Sequence, residues 1–211
     1  MVSDVFFDLD GTLTDPKPGI TGSIQYALER LGRPVPSRDE LERCIGPPLL
    51  ENFTALVGPE AAPRGGALYR ERFGDGGLFE NEVYAGIPEV LAHGSKRGVR
   101  LYVASSKPQV YVDRILEHFE LRPYFDGVFG AELDGTRADK RELLAFALEE
   151  TSVVACDAIM VGDRGSDATG AFHNGMAFVG ALYGYGSQAE LAAAGATQWV
   201  RRPFDLSEAL F

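Results

Sequence analysis

Two carboxylates, Asp8 and Asp10, follow the first apolar stretch of the chain and are the residues best suited to do chemistry. The apolar stretch has the composition of a short β-strand, and the alternation of side chains along a strand sends both carboxylates to one side. Gly11 then permits a tight turn, and Thr12 offers a hydroxyl and a backbone N–H. Carboxylates this close repel each other unless a cation or a shared proton compensates them. The motif therefore indicates a hard divalent metal or an acid/base pair.

The sequence Asp-x-Asp-Gly also opens calcium-binding loops of the EF-hand type. Such a loop needs a third oxygen ligand before its glycine and a glutamate at its end. Here the glycine is followed by Thr-Leu-Thr-Asp-Pro instead. We therefore favour a catalytic motif over a calcium loop.

A second polar group, Ser105-Ser106-Lys107, follows a strand predicted over residues 99–104 and precedes a predicted helix. A hydroxyl and free N–H groups at a helix N-terminus can bind phosphate, although the serines could also serve only as helix caps. Ligands of open parallel sheets bind beyond the carboxyl ends of the strands. This group is therefore expected on the same side of the sheet as Asp8.

A third polar group contains Asp163 and Asp167 and follows a strand predicted over residues 158–161. Taken alone, these acids could be helix caps, because carboxylates are favourable at helix N-termini. Their place at a strand end puts them with Asp8 and Asp10 at one edge of the predicted sheet.

The elements that must position these groups are alternating strands and helices from residue 86 onward, a pattern typical of a parallel sheet covered on both faces. The strand that ends at Asp8 belongs to the same sheet, so we predict a doubly wound α/β fold. The predicted strands cover residues 99–104, 128–129, 158–161 and 177–182, and the predicted helices cover 88–96, 109–118, 139–149 and 167–174.

Between the first strand and this pattern, residues 19–79 show only helical periodicity, which predicts four helices. The second of these opens at a capping box, Ser37 to Glu40, and runs toward Cys44. We therefore predict a catalytic core formed by residues 1–15 and 86–211, with an inserted helical cap domain over residues 16–85.

Composition narrows the class of partner. The 211 residues include 31 acidic and 20 basic side chains, a net charge of −11 that disfavours a nucleic-acid polymer or an anionic membrane. A small phosphorylated metabolite remains compatible, because a metal and one lysine can reverse the local field. Without a signal-peptide pattern or a long apolar run, and with only two scattered cysteines, we expect a reduced cytoplasmic protein. As a separate expectation, we take the protein to be a monomer or weak homodimer.

The segment from Phe6 to Asp15 resembles the first signature of the haloacid dehalogenase (HAD) superfamily, whose core is Rossmann-like. That resemblance implies that Asp8 is a nucleophile and Asp10 a general acid/base. Ser105 matches the second signature, the serine or threonine that binds the phosphoryl group.

The remaining signatures also have counterparts in this sequence. Lys140, at the start of the helix before the Asp163 strand, matches the lysine of the third, and Lys107 is its competitor. The Gly-Asp-x-x-x-Asp run containing Asp163 and Asp167 resembles the fourth, whose acids complete a Mg²⁺ site. The implied ligands are therefore Asp8, the backbone carbonyl of Asp10 and Asp163, while Asp167 binds the ion through water or orients the groups around it.

Further contacts with the substrate are predicted for Thr12, Ser106 and Lys107 in the core. In the cap, Arg43 and the turn at Gly46 resemble the loop that caps of this kind lower toward the substrate.

The chain looks most similar to the phosphoglycolate phosphatase-like branch with a helical cap in the first insertion position. This resemblance implies a Mg²⁺-dependent phosphomonoester hydrolase that acts through an aspartyl-phosphate on a small metabolite, in the manner of phosphoglycolate phosphatases or 5′-nucleotidases. A sugar-phosphate mutase of the β-phosphoglucomutase type is the enzymatic alternative. A catalytically silent binding module of the same fold is the non-enzymatic one.

Overall fold

The computed structural model describes residues 3–211. These residues divide into two compact units. The first comprises the residues up to Thr14 together with Val83–Phe211, and the second comprises Asp15–Glu82. Within residues 3–211, none of the helices combines the length and the apolar character that crossing a membrane requires.

The first unit is built on a parallel sheet of six strands in the order β5-β4-β1-β6-β7-β8, counted over the described residues. The predicted doubly wound α/β fold is thus confirmed. The strands, including the short β2 and β3 that pair separately, are β1 (Asp4–Phe7), β2 (Thr14–Asp15), β3 (Glu82–Val83), β4 (Arg100–Pro108), β5 (Gly127–Ala131), β6 (Ala158–Gly162), β7 (Ala177–Ala181) and β8 (Trp199–Val200).

Helices connect these strands, and several of the predicted boundaries differ from the observed ones by only one or two residues. The α-helices are α1 (Lys17–Arg30), α2 (Leu49–Val57), α3 (Ala62–Asp75), α4 (Ile87–Lys96), α5 (Gln109–His118), α6 (Lys140–Thr151), α7 (Gly165–His173), α8 (Gln188–Ala193) and α9 (Leu206–Leu210).

The centre of the sheet is β1, which pairs in parallel with β4 on one side and β6 on the other. All four residues of β1 are buried, as expected for a strand covered on both faces. The rings of Phe6 and Tyr102 stack with their centroids 4.6 Å apart. This packing fixes the strand that leads into Asp8.

Strand β4 is longer than predicted and continues through the serine pair to Pro108. Its pairing with β5 changes register between Ser105 and Pro108. The prediction ended this strand at Ala104, before the two serines and Lys107. The register shift allows the strand to continue past them.

The second unit contains three α-helices over Asp15–Glu82, so the prediction of a four-helix cap was wrong. The capping box does form, with Ser37 and Glu40 bonding to each other through side chains and backbone N–H groups. It opens only a turn and a short 3₁₀-helix, Glu42–Cys44. Prolines precede the segment and Gly46-Pro47-Pro48 ends it, so helical hydrogen bonding here is confined to the short stretch between them.

The start of α6 offers a test of local stability. Asp139 is the N-cap, and its carboxylate accepts a hydrogen bond from the Arg141 N–H at 2.8 Å. Asp139→Ala is expected to lower the free energy of unfolding by about 1 kcal/mol. Asp139→Asn should retain most of this stability, because asparagine is also a good cap. Urea unfolding at neutral pH measures both, and an equal loss in the two variants would contradict the capping role.

The same residue gives an expected pH dependence. The hydrogen bond from the Arg141 side chain lowers the pKa of Asp139 to about 2. A carboxyl whose pKa is lower in the folded than in the unfolded protein stabilises the fold above the unfolded value. The difference in stability between wild type and Asp139→Ala should therefore shrink as the pH falls from about 4 toward 2.

Candidate active site

Three strands and two helices of the first unit bring the predicted core residues together. Asp8 follows β1, Ser105 lies near the end of β4, and Asp163 follows β6. Because these strands are parallel and adjacent, their carboxyl ends meet at one edge of the sheet. Lys140 is the first residue of α6 and Asp167 lies in the first turn of α7. Helix starts therefore complete the site that the strand ends begin.

Three carboxylates form the centre of the site. Asp8, Asp163 and Asp167 are all buried, and one oxygen from each lies within 4.8 Å of the others. Burial of like charges at this distance is unfavourable without a compensating cation. The group has the spacing and the hard oxygen donors that a divalent metal requires.

The ammonium of Lys140 partly compensates this charge. Its Nζ lies 2.8 Å from Asp167 Oδ1 and 3.0 Å from Asp8 Oδ1, and it donates a hydrogen bond to the Ala104 carbonyl at 2.9 Å. Burial alone would lower the pKa of Lys140, but Asp167 and Asp8 outweigh burial and raise it. Lys140 therefore stays charged and lies between Asp167 and Asp8, while its role as counter-charge to a nucleophile stays a prediction.

One lysine does not balance three carboxylates. Burial, and then the neighbouring charges of Asp167 and Asp8, raise the pKa of Asp163 well above its ordinary value. Asp163 Oδ1 is buried and has no hydrogen-bond partner among residues 3–211. Asp8 Oδ1 also lacks an aligned donor, because the Lys140 ammonium approaches it without hydrogen-bond geometry. Two buried carboxylate oxygens that accept no hydrogen bond, in a group of three acids, fit a divalent cation.

Asp10 has a different partner. Its carboxylate contacts the Lys107 ammonium at 2.7 Å and 2.9 Å, and both side chains are largely buried. Burial raises the pKa of Asp10, and the charge of Lys107 opposes that effect. The two candidate lysines therefore have different partners: Lys107 pairs with Asp10, and Lys140 pairs with Asp8 and Asp167. The predicted metal contact through the Asp10 carbonyl stays a prediction.

The residues predicted to bind the phosphoryl group lie beside these carboxylates. Ser105 is buried, and its Oγ accepts a long hydrogen bond of 3.4 Å from the Lys107 N–H. The hydroxyl of Thr12 is buried without a hydrogen-bond partner in the described part of the chain. Gly11 has φ +83°, and a Cβ there would lie 2.3 Å from Asp163 Oδ2. Gly11 is therefore needed both for the turn and for the close approach of Asp163.

Two tyrosines that the sequence analysis did not select also reach this site. The backbone N–H of Tyr185 donates to Asp163 Oδ2 at 2.8 Å, and the hydroxyl of Tyr183 donates to the Thr12 carbonyl at 2.9 Å. Burial raises the pKa of Tyr183, so this hydroxyl stays protonated as a donor. Their position after a predicted sheet strand, at its carboxyl end, was the available signal.

The two predicted cap residues lie in the second unit. Arg43 is in the 3₁₀-helix Glu42–Cys44, and Gly46 turns the chain after it with φ +103°. Their contact with a substrate stays a prediction, as does that of Ser106.

Comparison with known proteins gives a family match. Residues 5–181 match the family described as haloacid dehalogenase-like hydrolase. A curated 5′-nucleotidase of Pseudomonas aeruginosa is 48% identical over 192 residues, covering 90% of this chain and 87% of the relative.

Other relatives differ in described activity. Tyrosine-protein kinase PtkA of Mycobacterium tuberculosis is 40% identical over 182 residues, which cover 86% of this chain but 62% of that protein. Among solved structures, a predicted phosphatase from Clostridium acetobutylicum has a TM-score of 0.94 at 40% identity, covering 99% of this chain and 98% of that one.

Proposed function

The chain belongs to the haloacid dehalogenase-like hydrolase family, and we propose that it is a Mg²⁺-dependent phosphatase that hydrolyses small phosphomonoesters through an aspartyl-phosphate on Asp8. The observation that carries this proposal is the buried group of Asp8, Asp163 and Asp167 with one lysine among them. A nucleophilic carboxylate, a counter-charge and carboxylate oxygens that can bind a metal ion are the parts that phosphoryl transfer needs.

Asp8 and Asp163 would hold the ion, together with the Asp10 carbonyl and with Asp167 directly or through water. When bound, Mg²⁺ supplies positive charge that positions the phosphate and screens it from the carboxylates. Lys140 already neutralises part of the charge of Asp8, so an anionic phosphate can approach. Ser105 and Lys140 would stabilise the phosphate oxygens as charge develops on them.

The reaction divides between the two carboxylates of the first motif. An oxygen of Asp8 attacks phosphorus, the new O–P bond forms, and the ester P–O bond breaks. Asp10 gives its proton to the departing alcohol oxygen, and then removes a proton from the water that hydrolyses the aspartyl-phosphate. Burial raises the pKa of Asp10 and so favours the protonated form that the first transfer needs. After that transfer the Lys107 ammonium pairs with the Asp10 carboxylate, and the proton taken from water restores the acid.

For the substrate, we propose a nucleoside 5′-monophosphate ahead of phosphoglycolate. The relative that is described as a 5′-nucleotidase shares 48% identity, whereas a phosphoglycolate phosphatase of Pseudomonas savastanoi shares 30%. The net charge of −11 is compatible with either small anion, because the local charge of the site is set by its lysines and the ion.

A panel of phosphomonoesters assayed with Mg²⁺ tests this proposal. The panel contains nucleoside 5′-monophosphates, phosphoglycolate, a sugar 1-phosphate and an activated aryl phosphate, and kcat/KM is compared for each. We expect release of inorganic phosphate, with the highest kcat/KM for a nucleotide. The activity should be lost when EDTA removes the metal ion.

Other outcomes would overturn parts of this proposal. Conversion of the sugar 1-phosphate to its 6-phosphate without free phosphate would identify a mutase. Transfer from ATP to a tyrosine peptide without hydrolysis would identify a kinase. No turnover of any ester, the activated aryl phosphate included, would leave a binding module.

A further inference from the structure

The loop between β7 and α8, residues 182–187, has the sequence Leu-Tyr-Gly-Tyr-Gly-Ser and carries no charged side chain. It nevertheless contacts both segments that carry the carboxylates of the active site. Tyr185 contacts Asp163 through its N–H, and Tyr183 contacts the turn after Asp10 through its hydroxyl. We call this segment the β7–α8 loop.

The contact with Asp163 is asymmetric. Oδ2 accepts the Tyr185 N–H at 2.8 Å, whereas Oδ1 is buried without a hydrogen-bond partner in the described residues. A carboxylate with one oxygen held by a backbone donor has a defined rotation about its Cβ–Cγ bond. The second oxygen is then left available for another ligand at a fixed position.

Two glycines, Gly184 and Gly186, allow the β7–α8 loop to approach Asp163 closely. A Cβ on Gly184 would lie 2.2 Å from the Gly11 carbonyl oxygen and 2.5 Å from the Asp163 Cβ, and a Cβ on Gly186 would lie 1.7 Å from the Asp163 carbonyl oxygen. Neither glycine has a φ in the left-handed region. They are therefore required for space and not for backbone conformation, and Gly184→Ala is a steric probe of the Asp163 position.

The loop is anchored at both ends. At its start, the Tyr183 hydroxyl bonds to the Thr12 carbonyl, and its ring packs edge-on against Tyr84 with centroids 5.1 Å apart. Beyond its end, Glu190 in α8 accepts hydrogen bonds from the Gly165 N–H at 2.8 Å and from Arg164 Nε at 2.9 Å. The segment that carries Asp163 is thus held on both sides of the carboxylate.

We propose that the β7–α8 loop positions Asp163 for a divalent cation, with Gly184 and Tyr183 as positioning residues that do not touch the ion. This inference rests on the metal site of the proposed function. It adds that the affinity for the ion depends on an uncharged loop supplying one backbone donor and the space around Asp163.

The test measures Mg²⁺ binding directly, by calorimetry on substrate-free protein. We expect Gly184→Ala to raise the Kd for Mg²⁺ by about 10-fold to 100-fold, the range for loss of groups that orient metal ligands. In steady-state assays the Mg²⁺ concentration for half-maximal rate should rise by a similar factor. High Mg²⁺ should restore much of kcat, which a general loss of folded protein would not allow.

Gly66→Ala in α3 is the matched control, because a Cβ there meets nothing closer than 3.7 Å. It should bind Mg²⁺ as wild type does. If Gly184→Ala fails to fold, Tyr183→Phe provides the second variant, since it removes one anchoring hydrogen bond without adding volume. Its Kd for Mg²⁺ should rise several-fold.

The outcomes separate this inference from the proposed function. Wild-type Mg²⁺ affinity in folded Gly184→Ala, or in Tyr183→Phe if only that variant folds, would overturn the positioning role and leave the phosphatase proposal standing. A wild-type protein that hydrolyses esters but binds no Mg²⁺ would overturn the metal site and this inference with it. A wild-type protein that binds Mg²⁺ but hydrolyses nothing would overturn the phosphatase proposal alone.

Discussion

The Asp8→Asn variant is expected to keep the fold and to lose phosphomonoester hydrolysis by roughly 10⁴-fold or more, a size typical of losing a nucleophile. The amide has nearly the shape of the carboxylate but cannot attack phosphorus and form the aspartyl-phosphate. The substitution also removes one of three buried like charges, and Lys140 keeps its contact with Asp167 at 2.8 Å. The free energy of unfolding in EDTA should therefore not fall.

Initial rates with the best substrate of the panel, and urea unfolding of the same preparation, measure the two parts of this prediction. Asp139→Asn serves as the control, because it makes the same chemical change at a helix cap outside the carboxylate group. It should retain turnover. Near wild-type turnover in Asp8→Asn would contradict the nucleophile assignment.

The largest loss of stability is expected from Lys140→Met. The ammonium is almost wholly buried and lies between Asp8 and Asp167, so its removal leaves buried carboxylates without their nearest cation. Breaking a buried ion pair in this way costs about 3–5 kcal/mol, and the lost hydrogen bond to the Ala104 carbonyl adds to it. Urea unfolding in EDTA measures the loss. Turnover should fall as well, because the counter-charge at Asp8 is lost.

The neighbouring Arg141 provides the comparison for this variant. Its side chain is about half exposed and pairs with Asp139 at the surface. Arg141→Gln should therefore lower the free energy of unfolding by less than about 1 kcal/mol. Mg²⁺ is expected to recover part of the loss in Lys140→Met, since the ion brings positive charge to the same carboxylates. Equal losses in the Lys140 and Arg141 variants would contradict a central role for the buried lysine.

The sequence was sufficient to predict that Asp8 and Asp163 lie close together in the folded protein. Asp8 and Asp163 each follow a short apolar run that is typical of a buried parallel strand, and parallel strands place their carboxyl ends together. The family and its hydrolase class are confirmed by comparison with known proteins. The sequence signal was strong here because each apolar run is short, is rich in β-branched or aromatic residues and ends at turn residues and polar groups.

Other features depended on contacts between distant residues. The pairing of Lys107 with Asp10, and of Lys140 with Asp8, could not be chosen from spacing, because both lysines follow the carboxylates by about a hundred residues or more. The two-residue strand β8 was too short to show alternation. The expected second helix of the cap was a turn, because local capping signals say how a helix begins and not whether it continues.

The order of strands in the sheet has a consequence for synthesis of the protein. Asp4 in β1 pairs with Arg100 in β4 and with Ala158 in β6. Strand β1 is therefore synthesised before both of the strands that it pairs with. At roughly 5–20 residues per second, the last of them leaves the ribosome on the order of 10–30 s later. Until β4 emerges the apolar β1 has no neighbour, and until β6 emerges it is paired on one side only. A chaperone that binds short apolar segments during translation would therefore raise the yield of folded protein.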